Sequence, residues 1–366
     1  MNPLNKVLFV ILILVTAAGC AGSVKGLPIN DGVEKFPLYT SESRDHVQVQ
    51  YLGVGGFLIR RGQHALLTAP FFSNPSMFRV AFGKIQSDPL LIEKFLPTVF
   101  DVRHILVAHT HYDHLMDIPY IAQYRSPYAK IYGCPTAKNI LGSVLPEDRL
   151  VAIPPDAFAK PAGILESSPE GAPGKWWPEE GGGIRFMAIE SEHAPHFCAY
   201  DHALCVRLFS GKVEKQLKTL PYTAYGWKEG DTVTYLIDFL GPDGKRVDFR
   251  IFYQDAAATA PYGIPPQSGL LDQKRIDLAI LCVPGFNEVE GYPEGIIEAT
   301  RPRFVLLAHW EDFFRPPSDD PDDLRVVPGS NPTIFIDRMK PLLPPDADYA
   351  LPRPGAGFRF RVVDSD

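Results

Sequence analysis

The chain has 366 residues, of which 45% are hydrophobic and 22% are charged, and its formal net charge is -7. This length suffices for one large or two small globular domains, and the composition is typical of a soluble protein. The acidic balance argues against nucleic acid as a partner, because binding to phosphate backbones needs clustered Lys and Arg. It does not exclude a phosphodiester that is held by metal ions.

The N-terminal residues predict a targeting segment that is separate from the fold. Lys6 precedes an unbroken apolar run from Val7 to Val15, which is too short to span a membrane as a helix. Small residues at positions 17–19 then stand directly before Cys20. This order is similar to the lipobox of bacterial lipoproteins.

We therefore predict a signal peptide at residues 1–19, lipidation of Cys20 and a tether over residues 20–45. The alternative is an ordinary secretory signal, which would leave Cys20 as a plain thiol. The predicted protein is exported and attached to a membrane through its lipid. By analogy with lipoprotein sorting, Ala21 would direct it to the periplasmic face of the outer membrane if the source is Gram-negative.

Export would place the other cysteines in an oxidising compartment. Cys198 and Cys205 flank a short polar loop and either form a disulfide or remain buried free thiols. Cys134 and Cys282 lie beside strand-like segments and are predicted to be small core residues. No two cysteines have the CxxC spacing, so a structural zinc site built from cysteines is not expected.

From His46 to Thr68 the chain has short β-type runs that predict a meander of antiparallel strands. Further strand candidates are His104–Ala108, Lys130–Tyr132, Leu150–Ile153, Ile184–Ile189, Thr232–Phe239, Val247–Tyr253, Asp277–Val283 and Arg303–Leu307. Helix candidates are Pro89–Leu96, His114–Tyr124, Thr136–Leu145, Tyr292–Thr300 and Pro332–Lys340. Strands that first stand alone and then alternate with helices predict an α/β fold of two packed mixed sheets with helices outside. Pro161–Gly183, which carries Trp176 and Trp177, is predicted to be a surface loop.

The segment from His109 to His114 carries the strongest functional signal. Its sequence HTHYDH places three histidines and one aspartate within six positions, in a chain that has only 10 histidines. A buried strand should end here and a helix begin, so the side chains can converge on a cleft, and Asp is favoured at a helix N-terminus. Imidazole and carboxylate are the ligands that borderline divalent metals prefer.

The spacing inside this segment suggests how metal ions would be held. His109 and His111 point to the same side of an extended segment and can bind one ion together. Asp113 and His114 would start the helix and face a second ion. The alternative interpretation is a His-rich turn on the surface.

The HTHYDH segment resembles the HxHxDH motif of the metallo-β-lactamase superfamily, and the chain from Val47 to Val363 resembles that family in order. The resemblance implies a four-layer αββα sandwich of two mixed β-sheets flanked by helices, formed by one domain at 46–366 with an insertion around 194–231. It assigns His109, His111 and His193 to the first metal, and Asp113, His114 and His309 to the second, with Asp255 shared. Asp113 is also implied as a proton shuttle and hence as the catalytic residue.

The later ligands each have an alternative. His196 competes with His193, Asp255 could be a plain helix N-cap, and His309 could be a hydrogen-bonded core residue. Two positions also depart from the family pattern: Thr68-Ala69-Pro70 stands where the family has Thr-Asp-Pro, and Gln254-Asp255-Ala256 stands where it has Gly-Asp-Thr. The loss of the family Asp at Ala69 puts support of the metal ligands in doubt.

Within the superfamily, the late bridging Asp and the final His309-Trp310 look closest to N-acylphosphatidylethanolamine phospholipase D and the ascorbate-phosphate lactonases. The insertion is predicted to shape a substrate pocket beside the cleft, with His196, Trp227 and Trp310 as pocket residues. Its deletion is predicted to leave the metal content intact and to remove activity.

The resemblance implies a hydrolase with two divalent metal ions, zinc by default, although Fe and Mn also suit such ligands. A metal-bridging hydroxide would cleave a phosphodiester, in a small-molecule or phospholipid substrate. One alternative is a lactone or cyclic ester hydrolase. Another is a non-catalytic lipoprotein that binds a metal or ligand, which the altered Ala69 and Gln254 would favour. No nucleic acid partner is expected, and nothing in the sequence predicts the oligomeric state.

Overall fold

A computed structural model describes residues 22–33, 45–164, 169–178, 182–199, 204–267 and 269–362. The strands are β1 Ile29–Gly32, β2 His46–Gly53, β3 Gly56–Arg61, β4 His64–Thr68, β5 His104–Leu106, β6 Lys130–Gly133, β7 Leu150–Ala152, β8 Trp176–Trp177, β9 Ile184–Glu190, β10 Phe197–Ala199, β11 Leu204–Val206, β12 Val233–Leu240, β13 Val247–Gln254, β14 Leu278–Cys282, β15 Phe304–Ala308 and β16 Asp348–Arg361. The α-helices are α1 Met77–Phe82, α2 Pro89–Phe95, α3 Tyr112–Leu115, α4 Ile118–Tyr120, α5 Pro135–Leu141, α6 Leu270–Gln273, α7 Glu294–Thr300 and α8 Pro332–Met339. A π-helical turn at Ile121–Arg125 follows α4.

Two sheets share one long strand, β16. The strand order is β7-β6-β5-β4-β3-β2-β16 in the first sheet and β16-β15-β14-β13-β12-β9-β8 in the second. Residues 348–350 of β16 pair in parallel with β15, whereas residues 357–361 pair antiparallel with β2. Each sheet contains parallel and antiparallel neighbours, so both are mixed.

The two sheets pack face to face around a common core. The rings of Tyr132 in the first sheet and Phe186 in the second lie 4.7 Å apart, and the Tyr235 hydroxyl donates to the Val107 carbonyl at 3.0 Å. Side chains alternate across a strand, so Leu106 belongs to this shared core, while its neighbour Ile105 packs under the helices with Ile140.

Helices cover both outer faces. α2 to α5 pack on the first sheet, and α7 and α8 pack on the second, where Phe286 and Phe335 are 5.3 Å apart. The structure therefore confirms the predicted αββα sandwich.

The helix expected at His114–Tyr124 is interrupted. The chain instead forms α3, a break at Met116 and Asp117, α4 and the π-helical turn. Pro119 lacks the N–H that would continue the helical hydrogen bonds. Asp117 also accepts from the backbone N–H groups of Phe72 (2.7 Å) and Ser73 (2.9 Å), which fixes the break against the preceding loop.

Part of the predicted tether belongs to the sandwich. β1 pairs in parallel with β16, and Gly22 forms an antiparallel bridge with Val326. The predicted signal peptide and Cys20 lie outside the described residues. Trp176 and Trp177, expected in a surface loop, form the short edge strand β8 against β9.

The four cysteines of the described residues form one disulfide and two buried thiols. Cys198 and Cys205 stand directly opposite each other in the hairpin β10–β11 and form a disulfide. Cys134 and Cys282 are free and buried, as predicted. Over the described residues, no helix is long and apolar enough to cross a membrane.

Candidate metal centre

The segment 107–114 is held from both sides before it reaches the cleft. Val107 N–H donates to the Tyr132 carbonyl at 2.9 Å, and Val233 N–H donates to the Ala108 carbonyl at 3.0 Å. Thr110 N–H donates to the Glu229 carbonyl at 2.9 Å. The backbone around His109 and His111 is thereby fixed by β6 on one side and by the segment 229–233 on the other.

The other five predicted ligands also follow the ends of strands or lie in α3. His193 comes three residues after β9, Asp255 follows β13 directly, and His309 follows β15 directly. The N–H of Ala194 donates to the carbonyl of Ala257 at 2.8 Å, which joins the segments after β9 and β13. Because β13 and β15 belong to one run of parallel strands, their carboxyl ends meet at the same edge, where ligand sites of α/β sheets usually lie.

The structure brings the first predicted group, His109, His111 and His193, together. Their ring centroids are separated by 4.7 to 4.8 Å, and one nitrogen of each lies within 4.8 Å of the others. The Nδ1 of His193 is 2.6 Å from the Ala194 carbonyl oxygen. Since a carbonyl can only accept, the Nδ1 carries the proton and the Nε2 of His193 keeps its lone pair for an ion.

The second predicted group also converges. The Oδ2 of Asp113 lies 3.3 Å from His309 Nε2 and 3.4 Å from His114 Nε2. Asp113 stands in the first turn of α3, with His114 directly after it. All three side chains are buried, and their ligand atoms lie within 4.8 Å of one another.

Asp255 lies between the two groups. Its Oδ1 is 3.1 Å from His109 Nδ1, and its Oδ2 is 3.1 Å from His114 Nδ1. One carboxylate therefore contacts a ring from each predicted metal site. The assignment of Asp255 as a shared ligand stays a prediction.

Unpartnered ring nitrogens test whether these residues suit metal ions. Within the described part of the chain, His109 Nε2, His111 Nε2 and His309 Nδ1 are buried without a hydrogen-bond partner. Each unpaired buried polar atom costs about 1–3 kcal/mol, so three in one cluster are unfavourable unless something else binds them. Imidazole nitrogens and carboxylates form the ligand set of zinc, iron and manganese sites. The residues present thus fit two divalent ions.

The protonation states of four of these residues also suit ligands, which must be deprotonated to bind a metal. Burial, reinforced by neighbouring rings, lowers the pKa of His111 and His193 well below the ordinary value and keeps both neutral. Burial alone would raise the pKa of Asp113, but His114 and His309 outweigh it and hold that pKa well below its usual range. His109 and His114 have the same effect on the pKa of Asp255.

Tyr253 links Asp255 to the turn at Gly55. Tyr253 is near the end of β13, two residues before Asp255, and its hydroxyl contacts Asp255 Oδ2 at 3.2 Å and donates to the Gly55 carbonyl at 2.7 Å. A Cβ at Gly55 would lie 2.9 Å from His114 Nδ1, so only glycine allows this approach. Ala69, at φ 24°, donates its N–H to the Leu106 carbonyl at 3.0 Å and lends no side-chain donor or acceptor.

The buried pair Tyr51 and Glu311 fixes the backbone of His309 by hydrogen bonds. His309 has φ 63°, a conformation that non-glycine residues rarely adopt, and its N–H donates to the Tyr51 hydroxyl at 2.9 Å. The same hydroxyl donates to the Glu311 carboxylate. Glu311 also accepts from the N–H of Val54 at 2.5 Å, and Val54 has φ 53°. The pair therefore holds two strained residues, one of which is a predicted ligand.

Tyr51→Phe should weaken the second metal site selectively. The substitution leaves the His309 N–H and one oxygen of the Glu311 carboxylate unpaired, at a cost of about 1–3 kcal/mol each, and loss of such support typically lowers metal affinity about 10- to 100-fold. Titration of the apoprotein with Zn²⁺ should show the second ion binding at least about 10-fold more weakly and the first unchanged.

The matched control is Tyr292→Phe, which removes a buried hydroxyl that donates to the Cys282 carbonyl at 2.7 Å. This control should lower the melting temperature without changing either metal affinity. Equal binding of both ions by Tyr51→Phe and the wild type would contradict the supporting role of Tyr51.

A cavity of about 180 Å³ opens against the ligands. His111, Asp113, His193, Asp255 and His309 form one wall, and apolar side chains of Met77, Val80, Leu208, Phe209, Phe313 and Phe314 form much of the rest. His196 also lines this cavity, and its ring stacks on that of His193 at 5.0 Å.

Two predicted pocket residues lie elsewhere. Trp227 is buried in the apolar layer beneath the helices of the first sheet, because the turn at Ala224–Gly226 directs it inward. Trp310 is buried in the shared core and donates its indole N–H to the Pro352 carbonyl at 2.9 Å. Neither lines the cavity, so the prediction that they contact substrate is wrong.

The segment 194–231 is more than an insertion beside the cleft. It supplies the Glu229 carbonyl that binds Thr110 N–H, and it buries Trp227. Its deletion would release the backbone between His109 and His111. We therefore expect the deletion to lower the metal content as well as the activity.

No protein-family model matches the sequence, and no curated protein matches it significantly. Among solved structures, the chain is similar to Igni18, a metallo hydrolase from the archaeon Ignicoccus hospitalis, with 13% identity, a TM-score of 0.47 and coverage of 86% of this chain and 99% of that one. It is similar to the metallo-β-lactamase fold protein YhfI from Bacillus subtilis, with 13% identity, a TM-score of 0.45 and coverage of 86% and 100%. It is also similar to CmlA, a diiron β-hydroxylase from Streptomyces venezuelae, with 13% identity, a TM-score of 0.45 and coverage of 90% and 55%. A shared fold does not specify a reaction, so function is inferred below from the side chains of this site.

Proposed function

We propose that this protein is a metal-dependent hydrolase that cleaves a phosphodiester with an apolar substituent, a phospholipid being one such substrate. The observation that carries the proposal is the cavity, which joins a wall of His and Asp ligands to walls of apolar side chains. A hydrolase needs both an activated water and a place for the rest of the substrate.

The charge of the cavity favours a diester over a monoester. Among the described residues that line it, none is Lys or Arg, so the substrate's negative charge would be met by metal ions alone. A phosphate diester carries one negative charge, whereas a monoester carries nearly two at neutral pH. The apolar walls fit an acyl chain or another apolar group on the far side of the scissile bond.

The residues can be given roles. Two divalent ions, when bound, supply an activated water and stabilise the charge that develops on the attacked oxygen. The carboxylate of Asp113 lines the cavity and can accept a proton from the attacking water. Leu208 N–H donates to His196 Nδ1 at 3.2 Å, so the proton of the neutral His196 ring stands on Nε2, ready to donate to a substrate oxygen.

A lactone or another uncharged ester is the second candidate. The same absence of Lys and Arg among the described cavity residues suits an uncharged substrate, and the same ions can stabilise a carbonyl oxygen. The discriminating feature is the group that is attacked, phosphorus or carbonyl carbon.

A panel of three substrates separates these possibilities. Bis-p-nitrophenyl phosphate, p-nitrophenyl phosphate and an acyl lactone should be offered to the metal-loaded protein. We expect the diester to be cleaved with a kcat/KM at least about 10-fold above that of the monoester. Cleavage of the lactone alone would move the assignment to the second candidate, and no cleavage with both ions bound would favour the non-catalytic alternative.

We also propose that the protein is exported and anchored through lipid at Cys20, facing the periplasm on the outer membrane in a Gram-negative source. Support comes from the Cys198–Cys205 disulfide, since disulfides persist in oxidising compartments. Labelling of the expressed protein with radioactive palmitate, in the wild type and in Cys20→Ser, tests the anchor. Equal labelling of both would contradict it.

A further inference from the structure

We propose that the rim of the cavity docks on a lipid bilayer through Phe78 and Phe82, so that substrate reaches the metal ligands directly from the membrane. This inference rests on the proposed function and on lipidation of Cys20. Two independent features of the molecule support it: an exposed aromatic pair beside the cavity, and the place where the N-terminal segment joins the domain.

The helix α1 presents different residues to the cavity and to solvent. Met77, Val80 and Ala81 line the cavity. Phe78 and Phe82 are 72% and 53% exposed, and their ring centroids lie 5.5 Å apart. A pair of exposed phenylalanines next to a ligand cavity marks an interaction surface rather than core packing.

The chain next to α1 has the composition of a membrane interface. Ile85 N–H donates to the Tyr222 carbonyl at 3.0 Å, which places the exposed Tyr222 ring beside the end of the helix. The Lys84 ammonium lies 5.8 Å from the centre of that ring. Tyr225, partly exposed, lines the cavity itself. Tyrosines concentrate at the level of lipid headgroups, and Lys favours anionic headgroups.

The N-terminal segment reaches the domain at the same cavity. Gly22 bridges to Val326, and the next two residues, Val327 and Pro328, line the cavity. Cys20 is two residues before Gly22, and two extended residues span at most about 7 Å. A lipid on Cys20 would therefore enter the bilayer close to the cavity that α1 also lines.

The position of Phe78 and Phe82 beside the cavity, near the predicted lipid anchor, favours a bilayer as the partner that covers them. A second copy of the chain or a protein partner could cover two phenylalanines, but neither would explain why the anchor point adjoins the same cavity. A lipid substrate could then bring its scissile bond to the ligand wall while its acyl chains stay among apolar side chains.

Vesicle binding by the unlipidated mature chain tests the proposal. The protein is residues 20–366 with Cys20→Ser, and the vesicles contain phosphatidylethanolamine with phosphatidylglycerol. We expect co-sedimentation with the vesicles, and we expect Phe78→Ser with Phe82→Ser to weaken it at least about 10-fold, since each side chain contributes apolar burial. Hydrolysis of soluble bis-p-nitrophenyl phosphate should remain within about 2-fold of the parent in this variant, because neither side chain lines the cavity.

The matched control is Phe100→Ser. Phe100 is 55% exposed and precedes β5, at the end of the sheet opposite the ligands, so this variant should bind vesicles like the parent. Equal binding by the double variant and the control would overturn the proposal, as would a parent that does not bind vesicles. A double variant that loses a dimer on gel filtration but keeps vesicle binding would assign the surface to a second copy instead. Vesicle binding without any hydrolysis would overturn the proposed function and leave the docking surface in place.

Discussion

Asp113→Ala should lower kcat/KM for bis-p-nitrophenyl phosphate by at least about 10³-fold while one tightly bound metal ion is retained. The variant removes a carboxylate that lies 3.3 Å from His309 Nε2 and 3.4 Å from His114 Nε2, so the second ion loses a ligand. The first group, His109, His111 and His193, does not include Asp113. Activity should therefore fall further than metal binding. Metal analysis and steady-state kinetics on the same preparation check both expectations.

Asp113→Asn separates the two roles given to this residue. The amide keeps an oxygen that can bind an ion but cannot accept a proton as a carboxylate does. We expect the Asn variant to hold more of the second ion than the Ala variant while remaining nearly as inactive. Full activity in Asp113→Ala would contradict the assignment of Asp113, and full activity only in Asp113→Asn would restrict it to a ligand.

Asp255→Ala should disturb both metal ions. Its carboxylate lies 3.1 Å from a ring nitrogen of His109, in the first group, and 3.1 Å from one of His114, in the second. Removal would deprive the His109 ring of its hydrogen-bond partner and would take away the carboxylate that is predicted to serve both metal sites. We expect the variant to bind neither ion tightly and to lose at least about 10³-fold in kcat/KM. Calorimetric titration of the apoprotein with Zn²⁺ measures the loss.

The matched control for Asp255→Ala is Asp117→Ala. Asp117 is also fully buried, but it accepts from the backbone of Phe72 and Ser73 and from the Ser73 hydroxyl rather than from ligands. This control should lower the free energy of unfolding by about 1–3 kcal/mol or more, with both ions still bound. If Asp255→Ala behaves in the same way, Asp255 is a structural residue, and its place in the metal centre is wrong.

The local part of the candidate site could be predicted from the sequence because its residues are neighbours. His109, His111, Asp113 and His114 stand within six positions, and strand and helix geometry alone place them on one cleft. The distant residues His193, Asp255 and His309 were predicted through the resemblance to the metallo-β-lactamase superfamily, and each lies just after a predicted strand. Their convergence within 4.8 Å of their neighbours is a consequence of parallel strands that end at one edge.

Other features depended on contacts between remote parts of the chain. Tyr51 and Glu311 are 260 positions apart, and nothing near either residue signals their pairing. The contact between Tyr253 and Asp255 could have been predicted, because residues two positions apart in an extended chain lie on the same face. Trp227 and Trp310 lie close in sequence to site residues, yet both side chains are buried in the core and not in the cavity. The sequence did not predict the strand β16, because Pro352, Pro354 and Gly355 interrupt the alternation of apolar and polar residues that is typical of a strand.

The count of metal ions bound per chain tests the central claim most directly. Protein purified without a His-tag should be analysed by inductively coupled plasma mass spectrometry, after reconstitution with Zn²⁺, Fe²⁺ or Mn²⁺ and removal of excess ions. The ligand groups around His109 and Asp113 predict about two ions per chain for at least one of these metals. A protein that binds none of them under any of these conditions would contradict the metal centre and the function that is inferred from it.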